Sequence, residues 1–165
     1  MKEQYKIIDN FIDKVSFKHI KDFILAENFQ WFLSKKIANK NEKNRDNALY
    51  FYHLIYKDNA PYSNIMKLIH PIIKKLDVKA LIRIKANLYP NQNKLIVHER
   101  HRDYPFKHKG AIFYINTNNG YTILENKIKI ESIENRLLLF NSSKKHSSTS
   151  CTDKKRRVNI NFNFF

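Results

Sequence analysis

Residues Ala80–Tyr89 read ALIRIKANLY, an alternation that puts Ile82, Ile84, Ala86 and Leu88 on one side and Leu81, Arg83, Lys85, Asn87 and Tyr89 on the other. Successive side chains of an extended chain point to opposite faces, so a period of two predicts a β-strand. Arg156–Phe164 repeats the pattern: Val158, Ile160 and Phe162 form an apolar face, and Arg157, Asn159, Asn161 and Asn163 a polar one. Between them lie further short strand candidates at Lys94–His98, Ala111–Asn116, Tyr121–Leu124, Lys127–Ile130 and Arg136–Phe140, with Asn118-Asn119-Gly120 as a turn signal. Seven short strands so closely spaced predict a sandwich or barrel.

Upstream of Ala80 the period lengthens. After Ser16, the expected N-cap, Phe17, Ile20, Phe23 and Ile24 recur at helical spacing. A second helix is expected from Pro61 to Leu76 on the stripe Ile65, Leu68, Ile69, Ile72 and Leu76, kinked or interrupted at Pro71. Phe29–Ile37 and Ala48–Tyr56 are candidates for added strands. Two polar stretches, Ala38–Asp46 and Ser142–Asp153, read as loops. The expectation is one mainly β, α+β domain over 1–165, with 1–79 as a helical support region and 80–165 as the β core.

Composition narrows the class. The 165 residues hold 42% hydrophobic and 13% aromatic side chains, enough for one packed core. No run of about 18 uninterrupted apolar residues is present, so no membrane span is expected. The single cysteine, Cys151, excludes an internal disulfide framework and a cysteine-rich zinc site and points to a reducing cytoplasm. The net charge of +16 comes from 24 Lys and only 7 Arg, spread along the chain and accompanied by 20 Asn and 21 Ile. These three residue types rise together under AT-rich codon usage, so most of the charge reads as a solvated lysine surface. Attraction to a polyanion at low salt remains open.

The segment Asn87–Asp103, NLYPNQNKLIVHERHRD, carries the chemistry. In His101-Arg102-Asp103 an imidazole and a carboxylate sit two residues apart, on one side of an extended chain. A third donor must come from elsewhere, and His146 lies 43 residues beyond Asp103. Two histidines and one carboxylate on one octahedral face are a ligand set for non-haem Fe(II) that leaves three positions open. His98 competes with His101 but has no carboxylate two residues on. His19, His53, His70 and His108 read as surface or satisfied core groups. On the polar face of the last strand, Arg157 can hold a carboxylate in a barrel mouth. Arg156, on the apolar side, is its competitor.

The order His-x-Asp, distal His, then a basic residue about ten further on resembles the Fe(II)/2-oxoglutarate-dependent dioxygenases, the prolyl-4-hydroxylase-like members above all, and the wording looks like small phage-encoded examples. The likeness covers roughly Leu81–Phe165. It implies a double-stranded β-helix, or jelly roll, with N-terminal supporting helices. It also implies His101, Asp103 and His146 as iron ligands, and Arg157 as partner of the far carboxylate of 2-oxoglutarate. Tyr114, Asn87, Tyr89 and Asn159 resemble residues that contact that cosubstrate, although Tyr89 and Tyr114 also fit as plain core aromatics. Gly120-Tyr121-Thr122 resembles a Gly-Gly-x-Thr turn with Asn119 in place of the first glycine.

The implied reaction consumes 2-oxoglutarate and O₂, with ascorbate as an optional accessory, and yields succinate, CO₂ and a hydroxylated product. Its substrate is expected to be a protein or peptide, prolyl-type, ahead of a nucleic-acid base or a free small molecule. A cytoplasmic location follows, in the host cell if the chain is phage-encoded. Tyr104 and Phe106 either form a substrate rim or seal the barrel. The rivals are a non-catalytic basic jelly-roll binding module, with nucleic acid as a candidate ligand, and a metal-dependent jelly-roll enzyme that uses no 2-oxoglutarate.

Overall fold

The computed structural model describes residues 5–34 and 49–165, and both halves of the chain contribute strands. In chain order the elements are β1 (Lys6–Ile8), α1 (Lys14–Leu25), β2 (Phe32–Ser34), β3 (Tyr50–Lys57), β4 (Ala60–Pro61), α2 (Ile65–Leu68), α3 (His70–Lys75), β5 (Leu81–Pro90), β6 (Lys109–Tyr114), β7 (Asn118–Ile123), β8 (Lys129–Ser132), β9 (Leu137–Asn141), β10 (Ser147–Ser148) and β11 (Arg156–Phe164). The larger sheet runs β1-β9-β6-β11-β5-β3-β2, with β4 paired to β3, and the smaller runs β10-β7-β8. All pairs are antiparallel, and β11 lies between β5 and β6. This is the double-stranded β-helix, or jelly roll, expected from the sequence.

The alternation of β5 and β11 has a physical use that a one-sided sheet would not need. Ile84, Ala86, Val158, Ile160 and Phe162 are fully buried against the helices, in a core with Phe17, Ile20, Ile24 and Ile72. The opposite face of β11 is buried too: Arg157, Asn159, Asn161 and Asn163 point between the two sheets. An apolar wall of Ile112, Leu124, Ile130, Leu138 and Phe140 lines part of that second layer. Burying an apolar side chain contributes about 1.5–3 kcal/mol, whereas a buried polar one costs free energy unless it is bonded. The first face therefore holds the fold together, and the second needs a reason.

Several local expectations are corrected. The cap of α1 is Asp13, whose carboxylate accepts from the backbone N–H of Val15 and Ser16 at 3.1 and 2.9 Å; a carboxylate suits the positive end of a helix. Phe23 is half exposed, off the buried stripe of Phe17, Ile20 and Ile24. Pro61 does not start a helix but pairs with Tyr56 in a short hairpin. The helical run is interrupted at Ile69, between α2 and α3, and Pro71 sits in the first turn of α3, where its missing N–H costs nothing.

Lys94–His98 is not a strand. Ser150 Oγ accepts from the N–H of Ile96 and donates to Lys94 O, taking the place of regular backbone pairing. Only the isolated bridge Val97↔Thr149 survives there. Asn118-Asn119-Gly120 is not a turn either. No residue of the three has the positive φ of a primed hairpin turn. The Asx contact from Gly120 N to Asn118 Oδ1 instead marks an irregularity at the start of β7. Ser142–Asp153 contains β10, and Ser142, Ser147, Thr149 and Ser150 are buried rather than looped into solvent. The expected loop Ala38–Asp46 and parts of the Phe29–Ile37 and Ala48–Tyr56 candidates lie outside the described residues. No helix among the described residues is long and apolar enough to cross a membrane.

Candidate metal centre and cosubstrate pocket

Two irregular segments, 97–103 and 142–149, are zipped together at the open edge of the smaller sheet. His101 and His146 face each other in an antiparallel bridge, each N–H donating to the other's carbonyl at 2.8 Å. The bridge places the imidazoles side by side, with centroids 4.7 Å apart. Each ring meets a backbone carbonyl through Nδ1: His101 at Glu99 O, 3.3 Å, and His146 at Lys144 O, 3.0 Å. Donation from Nδ1 leaves the Nε2 lone pairs to face inward.

Asp103 completes the group. Its two carboxylate oxygens lie 4.0 Å from His101 Nε2 and 3.9 Å from His146 Nε2. The three ligand atoms all lie within 4.8 Å of one another. One oxygen of Asp103 accepts from Arg83 at 2.9 Å. The other accepts from Ser142 Oγ at 2.5 Å, Asn163 Nδ2 at 2.8 Å and Asn161 Nδ2 at 3.2 Å. Burial alone would raise the carboxyl pKa; His146, the Arg83 guanidinium and the hydrogen bonds from Ser142 and Asn163 outweigh it and hold the group well below the usual range. Burial, reinforced by His146 and opposed by Asp103, pulls His101 down to about 4. At neutral pH the group is thus an ionised carboxylate with a neutral His101 imidazole, the protonation states metal ligands require.

Behind this group lies Arg157, fully buried. Nε donates to Ser132 Oγ at 2.6 Å, one terminal nitrogen to Ser148 Oγ at 2.5 Å and Thr149 O at 3.2 Å, and the other to Thr122 Oγ1 at 3.1 Å. Its guanidinium lies 5.3 Å from the centre of the Tyr89 ring and 5.7 Å from that of Tyr114. All its bonded acceptors are neutral. Arg156 points the other way, to Leu25 O at the end of α1. Gly120 packs against the Arg157 stem: a Cβ there would stand 2.6 Å from Arg157 Cδ and 2.4 Å from Ser150 O.

The remaining sequence-selected residues line the same interior. The Tyr114 hydroxyl donates to Thr122 Oγ1 at 2.8 Å. Asn87 donates to Asn159 Oδ1 at 2.9 Å and accepts from the Tyr50 hydroxyl at 2.5 Å. Asn119, in place of the glycine, ties Thr152 and Asp153 to β7 through three hydrogen bonds. His98 is buried and stacked on Tyr89 at 5.2 Å, and burial, with Arg157 nearby, lowers it to about 4. Both its ring nitrogens, Asn161 Oδ1 and Arg83 Nε lack a hydrogen-bond partner among the described residues. Buried orphans are uncommon in folded proteins, and these belong to residues at both ends of the same interior.

The other histidines are accounted for. His53 is bonded at both nitrogens, to Gln30 O and Ser63 Oγ, and His108 at both to Phe106 O and Asn163. His19 and His70 are exposed. A surface cleft of about 550 Å³ lies on the helical side, between Phe23, Phe29, His53 and Tyr62, away from the three donors. Arg83, Lys85, Ser142, Asn161 and Asn163 also belong to the site but were not singled out from sequence. The polar side of the β5 and β11 alternations was the signal for all of them except Ser142.

Comparison with known proteins agrees with this architecture. No protein-family model and no curated protein matches the sequence. Among solved structures, a prolyl hydroxylase from Trichoplax adhaerens, in complex with a hypoxia inducible factor peptide fragment, superposes with a TM-score of 0.66 at 18% identity, covering 99% of this chain and 84% of that one. A viral collagen prolyl hydroxylase from Paramecium Bursaria Chlorella virus-1, in its 2-oxoglutarate complex, gives 0.62 at 12% identity, covering 98% and 95%. An oxidoreductase of the 2-oxoglutarate-Fe(II) oxygenase family from Burkholderia pseudomallei gives 0.67 at 8% identity, covering 97% and 84%. At such identities the likeness is one of fold.

Proposed function

We propose that this chain is an Fe(II)- and 2-oxoglutarate-dependent dioxygenase that hydroxylates a peptide or protein substrate, prolyl-type first. The observation that carries the reading is the convergence of His101, Asp103 and His146 ahead of a buried guanidinium with only neutral acceptors. Two imidazoles and one carboxylate suit ferrous ion, which with the keto acid and O₂ supplies the oxidising power for attack on a C–H bond. The solved structures of the same fold, prolyl hydroxylases among them, support the class.

The chain's own residues do the positioning. The backbone carbonyls of Glu99 and Lys144 fix the imidazole tautomers, and Arg83, Ser142, Asn161 and Asn163 orient Asp103. Arg157 takes the far carboxylate of 2-oxoglutarate, with Tyr89 and Tyr114 stacked about it and Asn87 and Asn159 along the path. Phe140, edge-on to His146 at 5.0 Å, and its apolar neighbours keep water from the inner side. Tyr104, beneath Arg83, and the half-exposed Phe106 follow Asp103, and their stacked rings and exposure support the rim reading over the barrel seal.

A purely binding module has no use for a metal-grade donor set around a cationic interior, which weighs against that rival. The test is incubation of the protein with Fe(II), 2-oxoglutarate and a panel of proline-containing peptides, following succinate and one added oxygen by mass spectrometry. Both should appear and both should vanish in His101→Ala. Turnover that survives His101→Ala, or that ignores 2-oxoglutarate, overturns the assignment. A nucleic-acid panel run alongside reports the second substrate class.

A further inference from the structure

Among the described residues, the interior between the sheets holds three cations, and one of them has an anionic partner. Arg83 is paired with Asp103 at 2.9 Å. Arg157 has neutral acceptors only. Lys85 has none: among the described residues its ammonium meets the Tyr50 ring, 5.3 Å away, and no hydrogen-bond acceptor. Burial and the neighbouring Arg83 act against its charge, Asp103 for it, and the net effect lowers the amine to about 8. An ammonium with three donors and no protein acceptor, on a side chain only partly covered, is open to an anion from outside.

Register locates that anion. Along the inner face of β5 the order is Arg83, Lys85, Asn87, Tyr89, opposite Asn163, Asn161, Asn159 and Arg157 of β11. Arg83, Asn163 and Asn161 bind Asp103, so this end belongs to the metal; Tyr89 and Arg157 form the other end. Same-face residues are spaced about 6.6 Å apart along a strand, so Lys85 stands one step from Arg83 and two from Tyr89. A ligand reaching from the Arg157 guanidinium to the three donors must pass Asn87 and finish beside Lys85. Two unneutralised cations, one near each end, match the two charges of a dicarboxylate.

We propose that Lys85 is the second carboxylate receptor of the barrel, its ammonium binding the metal-end carboxylate of the keto acid while Arg157 binds the far one. The inference rests on the keto-acid reading above and adds a binding residue to it.

The test is calorimetric titration of the Mn(II)-loaded protein with 2-oxoglutarate and with 2-oxobutyrate, which keeps the keto-acid end but lacks the far carboxylate. Lys85→Met should weaken both ligands by a similar factor, about tenfold or more for a lost charged hydrogen bond. Arg157→Met should weaken 2-oxoglutarate alone. Lys85→Arg, which keeps charge and donors, should recover wild-type affinity to within about threefold, and Lys94→Met, a change at the exposed surface, should alter nothing. The proposal is overturned if Lys85→Met binds 2-oxoglutarate within twofold of wild type, or if it loses 2-oxoglutarate yet keeps 2-oxobutyrate. Absence of binding by the wild-type protein would instead bring down the keto-acid reading itself.

Discussion

Replacing Arg157 by methionine separates what this residue does for the fold from what it does for a ligand. The guanidinium is fully buried and meets Ser132, Ser148, Thr149 and Thr122 but no carboxylate. Removing a buried, unneutralised charge recovers several kcal/mol of desolvation, while losing its neutral hydrogen bonds costs a comparable amount. The two nearly cancel, and the ligand-free variant should stay within about 2 kcal/mol of wild type. Ligand binding has no such compensation. A charge-assisted hydrogen bond to the far carboxylate is worth about 1.5–3 kcal/mol, so affinity for 2-oxoglutarate should fall about 10- to 150-fold. At a ligand concentration saturating for both proteins, that deficit removes roughly 3–12 °C from the ligand-induced rise in Tm of a chain this size. Thermal melts of the Mn(II)-loaded proteins with and without 2-oxoglutarate measure both quantities at once. An unchanged ligand-induced rise in Arg157→Met would show that the guanidinium anchors nothing.

Other substitutions probe the remaining parts of the structure. Gly120→Ala puts a Cβ 2.4 Å from Ser150 O and 2.6 Å from Arg157 Cδ; it should cost about 1–3 kcal/mol in stability and weaken 2-oxoglutarate binding, and normal affinity would mean Arg157 tolerates displacement. Phe113→Ala empties the contact with Phe11 and Phe17 and should destabilise by about 3–5 kcal/mol in urea titrations while leaving Mn(II) binding in place. Asp103→Asn should abolish Mn(II) binding seen by electron paramagnetic resonance; retained affinity would remove Asp103 from the ligand set. His98 predicts a pH dependence. Above pH 6.5 its ring is neutral folded or unfolded; below, the unfolded chain takes a proton that the folded one refuses until about 4. Between those values His98 should cost the protein up to about 3 kcal/mol, and His98→Phe should remove that share of the fall in a Tm-against-pH curve, leaving the share of His101, which is lowered to about 4 as well.

The β core and the three donors were legible because both depend on short-range periodicity or on residue type. Arg157–Phe164 alternates for eight residues, and the observed strand has the ends expected for it, Arg156 and Phe164, since it is paired to β5 along its whole length and to β6 from Asn159 on. His101 and Asp103 were readable as a pair from their spacing of two. Lys94–His98 and Asn118–Gly120 misled for the same reason as each other: local propensity was overruled by a side chain that entered the backbone hydrogen bonding, Ser150 in the first case and Asn118 in the second. The Ser150 bonds span 54 and 56 residues, a reach that short-range pattern does not carry, whereas the Asn118 contact is local and competes with the turn at the same three residues.

The sequence by itself determined that the chain has a two-sided β core, that one side of it is polar, and which residue types are present for metal and carboxylate chemistry. It did not determine whether the polar side of β11 meets water or is covered, because an alternating strand ordinarily leaves that side solvated. Tertiary packing decided it. It pressed Val158, Ile160 and Phe162 onto the helices and so turned Arg157, and across the register Lys85, into an interior where a charge without a partner is costly.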